Sequence, residues 1–383
     1  MTSVERVLEE AVGAGGLPGV AAAYATRDGM RYCGAAGMRC VASADPLHSD
    51  SIFRIASMTK AITTFAALQL VDAGKVDLDE DVAAYLPELG KRQLLEGFDE
   101  NGKPKLRPPR GAITLRQLLT HTAGFGYSFL NTNLVQAFEA GMMGDPFEGN
   151  DRFLEAPLVN DPGTAWEYGI NTDWVGRLVE TLSDQTLEEY FQAEILGPLG
   201  MEDTAFNLPA DKKGRIITVH QRGPDGVLTE DPDTPPEDVP FHAGGHGLYS
   251  TAGDYLRFLQ AVLRGGELDG ARILSAERCA EASRDQIAPL HVGAFKSAMP
   301  ALCNDVADFV GAAHGLGFLI NPEALPTGRS AGSLAWAGIF NSYYWIDPTR
   351  GISGVYLSQI LPFYDSGSVP ASHAFEAAAY ASL

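Results

Sequence analysis

The residues of this chain whose types and spacing can do chemistry are a serine and a lysine in Ser57-Met58-Thr59-Lys60. This is the sole Ser-x-x-Lys in the sequence, and it opens an apolar run, Ala61 to Ala73, that reads as a long helix. Residues three apart on a helix share a face, one turn from each other. An amine thus stands within reach of a hydroxyl, which is one way to make serine a nucleophile without histidine. The helix start adds two effects. Its unpaired N–H groups favour negative charge developing at the serine, and its positive end disfavours a protonated lysine. A lysine with a lowered pKa can act as a base near neutral pH. Ser-x-x-Lys alone is a weak signature, because surface helices hold many such pairs, so the surroundings must decide.

The elements that would position this pair can be read along the chain. Gly19 to Ala25 and Arg31 to Gly37 look like two strands around the turn Arg27-Asp28-Gly29, and the Ser57 helix ends at Gly74, a plausible C-cap. From about Val76 to Pro240 helical patterns alternate with Pro/Gly loops. An acidic, proline-rich run, Asp231 to Asp238, reads as an exposed connector. Gly244-Gly245-His246-Gly247 leads into a helix capped at Ser250-Thr251 and running to Leu263. The last third holds apolar segments at Leu316–Ile320, Leu334–Ile346 and Ile352–Ile360, the last two joined as a hairpin by the turn Asp347 to Gly351. A helix from about Ser372 to Ala381 closes the chain. Strands at both ends with helices between predict one sheet built from the N- and C-terminal thirds and a separate helical lobe.

Composition narrows the function classes. The chain has 383 residues, of which 45% are hydrophobic and 20% charged, as in an ordinary soluble globular protein. Its formal net charge of -21 argues against nucleic acid or an anionic membrane as partner, since both need a basic patch. The charged N-terminal helix has no apolar core of the signal-peptide kind, and no run approaches a membrane span. Cys33, Cys40, Cys279 and Cys303 form no CxxC pair and no zinc spacing, so a reduced, cytoplasmic protein is expected.

Five segments stand in a known order: Phe53 to Lys60; Gly74 to Val82; Ile113 to Phe125, with Thr120-His121-Thr122; Pro162 to Tyr168; and Gly244 to Thr251. Together they resemble the serine β-lactamase and penicillin-binding-protein superfamily on its class C side, over nearly the whole chain. Within it the chain is most similar to the family VIII carboxylesterases. The resemblance implies an α+β fold, an antiparallel sheet flanked by helices, with residues 1–75 and 241–383 as the α/β lobe and 76–240 as the mostly helical lobe. It implies Ser57 as nucleophile, with Lys60 and Tyr168 sharing its proton traffic. Asn171 follows the tyrosine by three residues, one more than in the family's Tyr-x-Asn. The family's Lys-Thr-Gly edge strand falls at Trp336-Ala337-Gly338-Ile339. Tryptophan replaces the lysine that would clamp a substrate carboxylate, which favours uncharged esters over β-lactams. By the same carry-over, the N–H groups of Ser57 and Ile339 form the oxyanion hole.

Competing readings attach to other residues. Gly328-Arg329-Ser330-Ala331-Gly332 matches the nucleophile elbow of α/β-hydrolases, with Asp347, Asp365 and His373 following. The elbow needs a strand before its serine and a helix after it, and here a Pro/Gly loop precedes and a strand follows. His242 and His246 are separated by glycines and make a poor metal pair, and His121 reads as a structural hydrogen-bonding residue. Phe125 and Tyr127 are expected to line the substrate pocket with Trp336, Ala337, Gly338 and Asn171. The sequence therefore predicts a serine carboxylesterase acting on short-chain esters through an acyl-enzyme. It needs no metal or cofactor, and its partner is a small-molecule ester. An acyltransferase on the same scaffold and a β-lactamase or D-amino-acid peptidase are the alternatives.

Overall fold

In the computed structural model the described residues are 3–14, 16–231 and 238–383. The connector read at Asp231–Asp238 thus lies, but for its two ends, outside the described residues. A sheet of eight strands organises the molecule: β1 (Gly19–Thr26), β2 (Gly29–Cys40), β3 (Asp45–Pro46), β4 (Ala313–His314), β5 (Leu319–Ile320), β6 (Leu334–Gly338), β7 (Ser342–Asp347) and β8 (Ile352–Leu357). Their spatial order is β4-β5-β6-β7-β8-β1-β2-β3, and every neighbouring pair is antiparallel. N- and C-terminal thirds therefore share one sheet, joined where β1 pairs with β8.

Small residues let both faces of this sheet be covered. Along β1, Ala21, Ala23 and Ala25 enter the main core, while Val20, Ala22 and Tyr24 enter a second core, as the period of two demands. The second core is closed by α1 (Ser3–Gly13) and α5 (Ser368–Ala381). The main core is filled by α2 (Thr59–Asp72), α3 (Asn171–Ser183) and α4 (Ala252–Leu263). Thr251 caps α4 by accepting from the Asp254 N–H at 3.1 Å, as its sequence suggests.

Two expectations are corrected. The apolar run Leu334–Ile346 is two strands, not one, split by a tight turn at Ile339-Phe340-Asn341. Asn341 takes the left-handed conformation (φ 61°), which asparagine tolerates. Its side chain donates to the Ile360 carbonyl at 2.8 Å, so a distant strand end, invisible in local sequence, holds the turn. Leu316–Ile320 shrinks to the two residues of β5. The 76–240 region also holds hairpins at Leu94–Phe98 with Pro104–Arg107 and at His220–Arg222 with Leu228–Glu230; Ile360–Leu361 runs parallel to the second. A single apolar cluster runs from the sheet through this region. The lobe boundaries at 75 and 240 therefore stand as a proposal about the two sides of a cleft. No helix among the described residues is long and apolar enough to cross a membrane, and all four cysteines are free thiols.

Candidate active site

Ser57 sits in a short 3-10 turn, Ala56–Met58, that runs directly into α2. Ala56 before it is held at φ 45°, a conformation that costs a non-glycine residue about 1–3 kcal/mol and persists only where its surroundings impose it. Those surroundings are present. The Tyr255 hydroxyl donates to the Met58 carbonyl at 2.8 Å, the Leu248 N–H donates to Thr59 Oγ1 at 3.1 Å, and the Ile55 N–H donates to the Leu248 carbonyl. On the other side β6 packs against the turn. A Cβ at Gly338 would lie 2.5 Å from the Ile55 carbonyl oxygen, so only glycine lets the strand come this close.

Lys60 is buried, with 2% of its surface exposed, and its Nζ has three partners. It donates to Ser57 Oγ at 3.3 Å, to the Tyr127 hydroxyl at 3.0 Å and to the Gly245 carbonyl at 2.7 Å. An ammonium group has three donors and no acceptor, so this set saturates it. Once the amine is neutral, one partner must instead donate to its lone pair. Gly245 can only accept, which leaves the hydroxyl of Ser57 or Tyr127 to deliver a proton. The contact can therefore carry a proton between the Ser57 hydroxyl and the Lys60 amine. Gly245 is fixed in turn by its own N–H, which donates to Asp173 Oδ1 at 2.8 Å. The Asp173 carboxylate is fully buried.

Tyr168 is almost buried and its hydroxyl accepts the Trp336 indole N–H at 3.3 Å. The ring lies 4.9 Å from Lys60 Nζ and 5.3 Å from the Tyr127 ring. The structure thus brings Ser57, Lys60, Tyr168 and Trp336 close together. Tyr127 is gathered too, but as a partner of Lys60; it is absent from the lining of the cavity. Burial pushes its hydroxyl well above the ordinary tyrosine pKa, with the Asp173 carboxylate and Tyr168 adding to the effect, so it stays protonated and able to donate.

Two further expectations fail. Asn171 is fully buried and points inward, with Nδ2 3.0 Å from His121 Nδ1 and 3.2 Å from the Phe125 carbonyl. The extra residue between it and Tyr168 opens α3 with Asn171 on its buried side. Phe125 packs against Trp174 at 6.1 Å between ring centres. Neither lines the cavity.

Ser57 stands on the wall of a cavity of about 880 Å³. Its front is apolar and aromatic, with Phe129, Tyr168, Phe295, Phe309, Trp336 and Ile339 among the lining residues. Phe295 and Phe309 were not legible beforehand, because they come from a long irregular stretch with no periodicity. Asp173 and the Gly245 carbonyl were also missed. The glycine pair Gly244-Gly245 was the available signal, since a Cβ at Gly245 would lie 2.3 Å from the Asp173 carboxylate.

His121 and His314 are buried edge to face, 5.6 Å apart, beside Trp336. Burial holds both below the ordinary histidine pKa, and His314 falls to about 4. They are neutral packing groups at physiological pH. Among the described residues no group of His, Cys, Asp and Glu gathers as a metal site. Ser330 has its N–H tied to Asp347 Oδ2 at 2.9 Å, and Asp347 also accepts the Tyr380 hydroxyl at 2.9 Å. No hydrogen bond among the described residues joins Ser330 to His373, so the elbow motif is a turn.

With this geometry in view the likeness to known proteins can be stated. The beta-lactamase family pattern matches residues 4–379. A monacolin J acid methylbutanoyltransferase of Aspergillus terreus is 35% identical over 359 residues, which cover 88% of this chain and 83% of that protein. A lovastatin esterase of Penicillium rubens is 32% identical, covering 85% of this chain and 84% of its own. A simvastatin synthase structure from Aspergillus terreus superposes with a TM-score of 0.85 at 32% identity, over 99% of this chain and 97% of that one. A methylbutanoyltransferase and an esterase thus both stand among the relatives of the chain. The chain belongs to the beta-lactamase family, among the hydrolases and acyltransferases of the serine β-lactamase superfamily.

Proposed function

We propose that the protein is a serine esterase of the family VIII carboxylesterase type, cleaving uncharged, short-chain carboxylic esters through an acyl-enzyme on Ser57. The observation that carries this reading is the 3.3 Å contact between Lys60 Nζ and Ser57 Oγ at the wall of an aromatic cavity. Neutral Lys60 takes the Ser57 proton as Oγ bonds to the ester carbonyl carbon. The oxyanion is held by the N–H groups of Ser57, near a helix start, and Ile339, one residue past β6. As the carbon–oxygen bond to the leaving alcohol breaks, that alkoxide takes a proton from Tyr168 or Lys60. The same pair then removes a proton from water, whose oxygen attacks the acyl carbon and frees Ser57.

Trp336 supports the uncharged class. It occupies the place of a lysine and offers the Tyr168 oxygen a hydrogen bond without a positive charge. Acyl transfer to an alcohol is the second reading, favoured by the methylbutanoyltransferase among the relatives. It differs only in which hydroxyl enters after acylation. The proposal places the reaction in the cytoplasm, which cell fractionation checks.

Hydrolysis of p-nitrophenyl acetate, butyrate and octanoate by wild type and Ser57→Ala, with and without an added alcohol, tests both readings. Turnover should vanish in Ser57→Ala, and the ratio of free acid to new ester separates hydrolase from transferase. Activity that survives Ser57→Ala sinks the mechanism. Fast nitrocefin turnover with poor ester cleavage would mean that Trp336 does not set the substrate class.

A further inference from the structure

Between the Asp173 carboxylate and the Lys60 amine stands a single residue. Gly245 accepts Lys60 Nζ on its carbonyl oxygen at 2.7 Å and donates its own N–H to Asp173 Oδ1 at 2.8 Å. A Cβ at Gly245 would lie 2.3 Å from Asp173 Oδ2, so only glycine lets the carboxylate come so close. Asp173 is the third residue of α3 and fully buried, and Lys60 is buried with it. The start of a helix favours negative charge at that place. Asp173 is absent from the lining of the cavity, so it meets the chemistry through Lys60 alone.

A buried charge needs a compensating partner. The one basic side chain within ion-pair distance of Asp173, among the described residues, is His246, whose Nδ1 lies 3.5 Å from Oδ1. It supplies no charge. Its Nε2 is 2.8 Å from the Pro146 carbonyl, which can only accept, so the proton of the neutral ring sits on Nε2. Nδ1 then turns a lone pair toward the carboxylate. Burial holds His246 below the ordinary histidine pKa, and the charge of Lys60 acts the same way. The compensating charge is left to Lys60.

The mechanism creates that charge at the moment it is needed. As Ser57 Oγ bonds to the carbonyl carbon, its O–H bond breaks and the proton passes to Nζ. A neutral amine becomes an ammonium between the rings of Tyr127 and Tyr168, 5.2 and 4.9 Å from Nζ. Aromatic faces attract a cation but carry no net charge.

We infer that Asp173 is a positioning residue for acylation: it holds Gly245 as the acceptor for Lys60 and supplies the negative charge that stabilises the Lys60 ammonium formed as Ser57 attacks. The inference rests on the reading of Lys60 as the base for Ser57 and adds the group that sets the strength of that base. Two effects follow from one charge. The carboxylate makes Lys60 a stronger base, and it also keeps Lys60 protonated to a higher pH. The other titratable groups around the pair are Tyr127 and Tyr168 beside Lys60 and His246 beside Asp173, with His121 and Asp145 within electrostatic reach.

Two rates followed against pH in wild type and Asp173→Asn test the inference. One is kcat/KM for p-nitrophenyl butyrate, and the other is labelling of Ser57 by an alkyl fluorophosphonate, with Ser57→Ala as background. In labelling, Oγ bonds to phosphorus, fluoride leaves and the proton again passes to Lys60, so the class of ester plays no part. Both rates should rise with pH to a plateau as Lys60 loses its proton. In Asp173→Asn the midpoint of the rise should fall by about one pH unit and the plateau by about tenfold, the scale of one unit charge removed nearby. A lower plateau with an unmoved midpoint would make Asp173 merely structural and overturn the inference, as would a variant that matches wild type in both. Asparagine keeps an oxygen for the Gly245 N–H and removes a buried charge, so the variant should resist urea at least as well as wild type. Asp173→Ser, smaller and also neutral, gives the same readout where the amide does not fit. If butyrate hydrolysis is absent while Ser57 still labels, the esterase reading fails and the labelling profile decides Asp173. Failure of Ser57 to label at any pH overturns both.

Discussion

The Lys60 cluster and the sheet strands behind it treat their polar groups differently. At the front, each donor of Lys60 has an acceptor, and the acceptors are themselves held, Gly245 by Asp173 and the Ser57 turn by Tyr255. Along β7 and β8, the hydroxyls of Tyr344 and Tyr356 and Trp345 Nε1 have no hydrogen-bond partner among the described residues. The front is preorganised for a reaction, with its hydrogen bonds made before substrate arrives. Groups that stabilise a transition state must be fixed in advance, whereas groups that only pack a sheet face carry no such demand.

The largest expected break in this comparison is at the front. Ser57→Ala and Lys60→Met should each lower kcat for p-nitrophenyl butyrate by about 10⁴-fold or more, because residues acting as one unit are lost together. The double variant should be little worse than either single one; additive losses would show that the two do not work as a unit.

Next in size is the contrast between the two phenols. Tyr168→Phe should cost about 10²–10³ in kcat, the range for a general acid–base group. Tyr127→Phe, which touches Lys60 but not the cavity, should cost about tenfold in kcat with KM little changed. Equal losses in the two variants would mean that Tyr127 shares the proton transfer to the leaving group.

The buried histidines behind Trp336 set an acid limit. The folded pKa of His314, about 4, lies below the unfolded value of about 6.5. The unfolded chain therefore binds the proton first. Stability is fully present above the unfolded value and is lost as pH falls toward the folded one. For His314 alone the loss between pH 7 and pH 5 is about 2 kcal/mol. Urea unfolding at the two pH values should show a smaller drop in His314→Gln than in wild type, and an unchanged drop would place the acid sensitivity elsewhere.

The smallest effects sharpen the comparison directly. Tyr255→Phe deletes a made hydrogen bond to the Met58 carbonyl and should destabilise the protein by about 1–3 kcal/mol. Tyr356→Phe deletes an unmade one and should change the unfolding free energy by no more than about 0.5 kcal/mol. A large loss in Tyr356→Phe would reveal a partner for its hydroxyl within the folded chain.

Much of the front was legible in the sequence. Ser57 and Lys60 are locally spaced, and a helix converts that spacing into contact. The sheet could be read from short apolar runs such as Gly19–Ala25 beside turn residues, because a strand buried on both faces is apolar throughout its own residues. Asn171 misled because motif spacing was read without the helix phase that turns the side chain inward. Leu334–Ile346 misled because the turn at Asn341 is held by the Ile360 carbonyl, not by neighbours in sequence. Phe295 and Phe309 were silent because their stretch has no regular structure to give them a period.

The sequence by itself determined the Ser57–Lys60 pair, whose spacing along a helix is local, and through the order of its segments the family to which Tyr168 and Trp336 were matched. Tertiary structure alone decided that Lys60 leans on Tyr127 and on Gly245, that Asp173 holds that glycine, and that Phe295 and Phe309 join Trp336 along the cavity. Those facts depend on which segments meet in space, and chain distance carries no record of that.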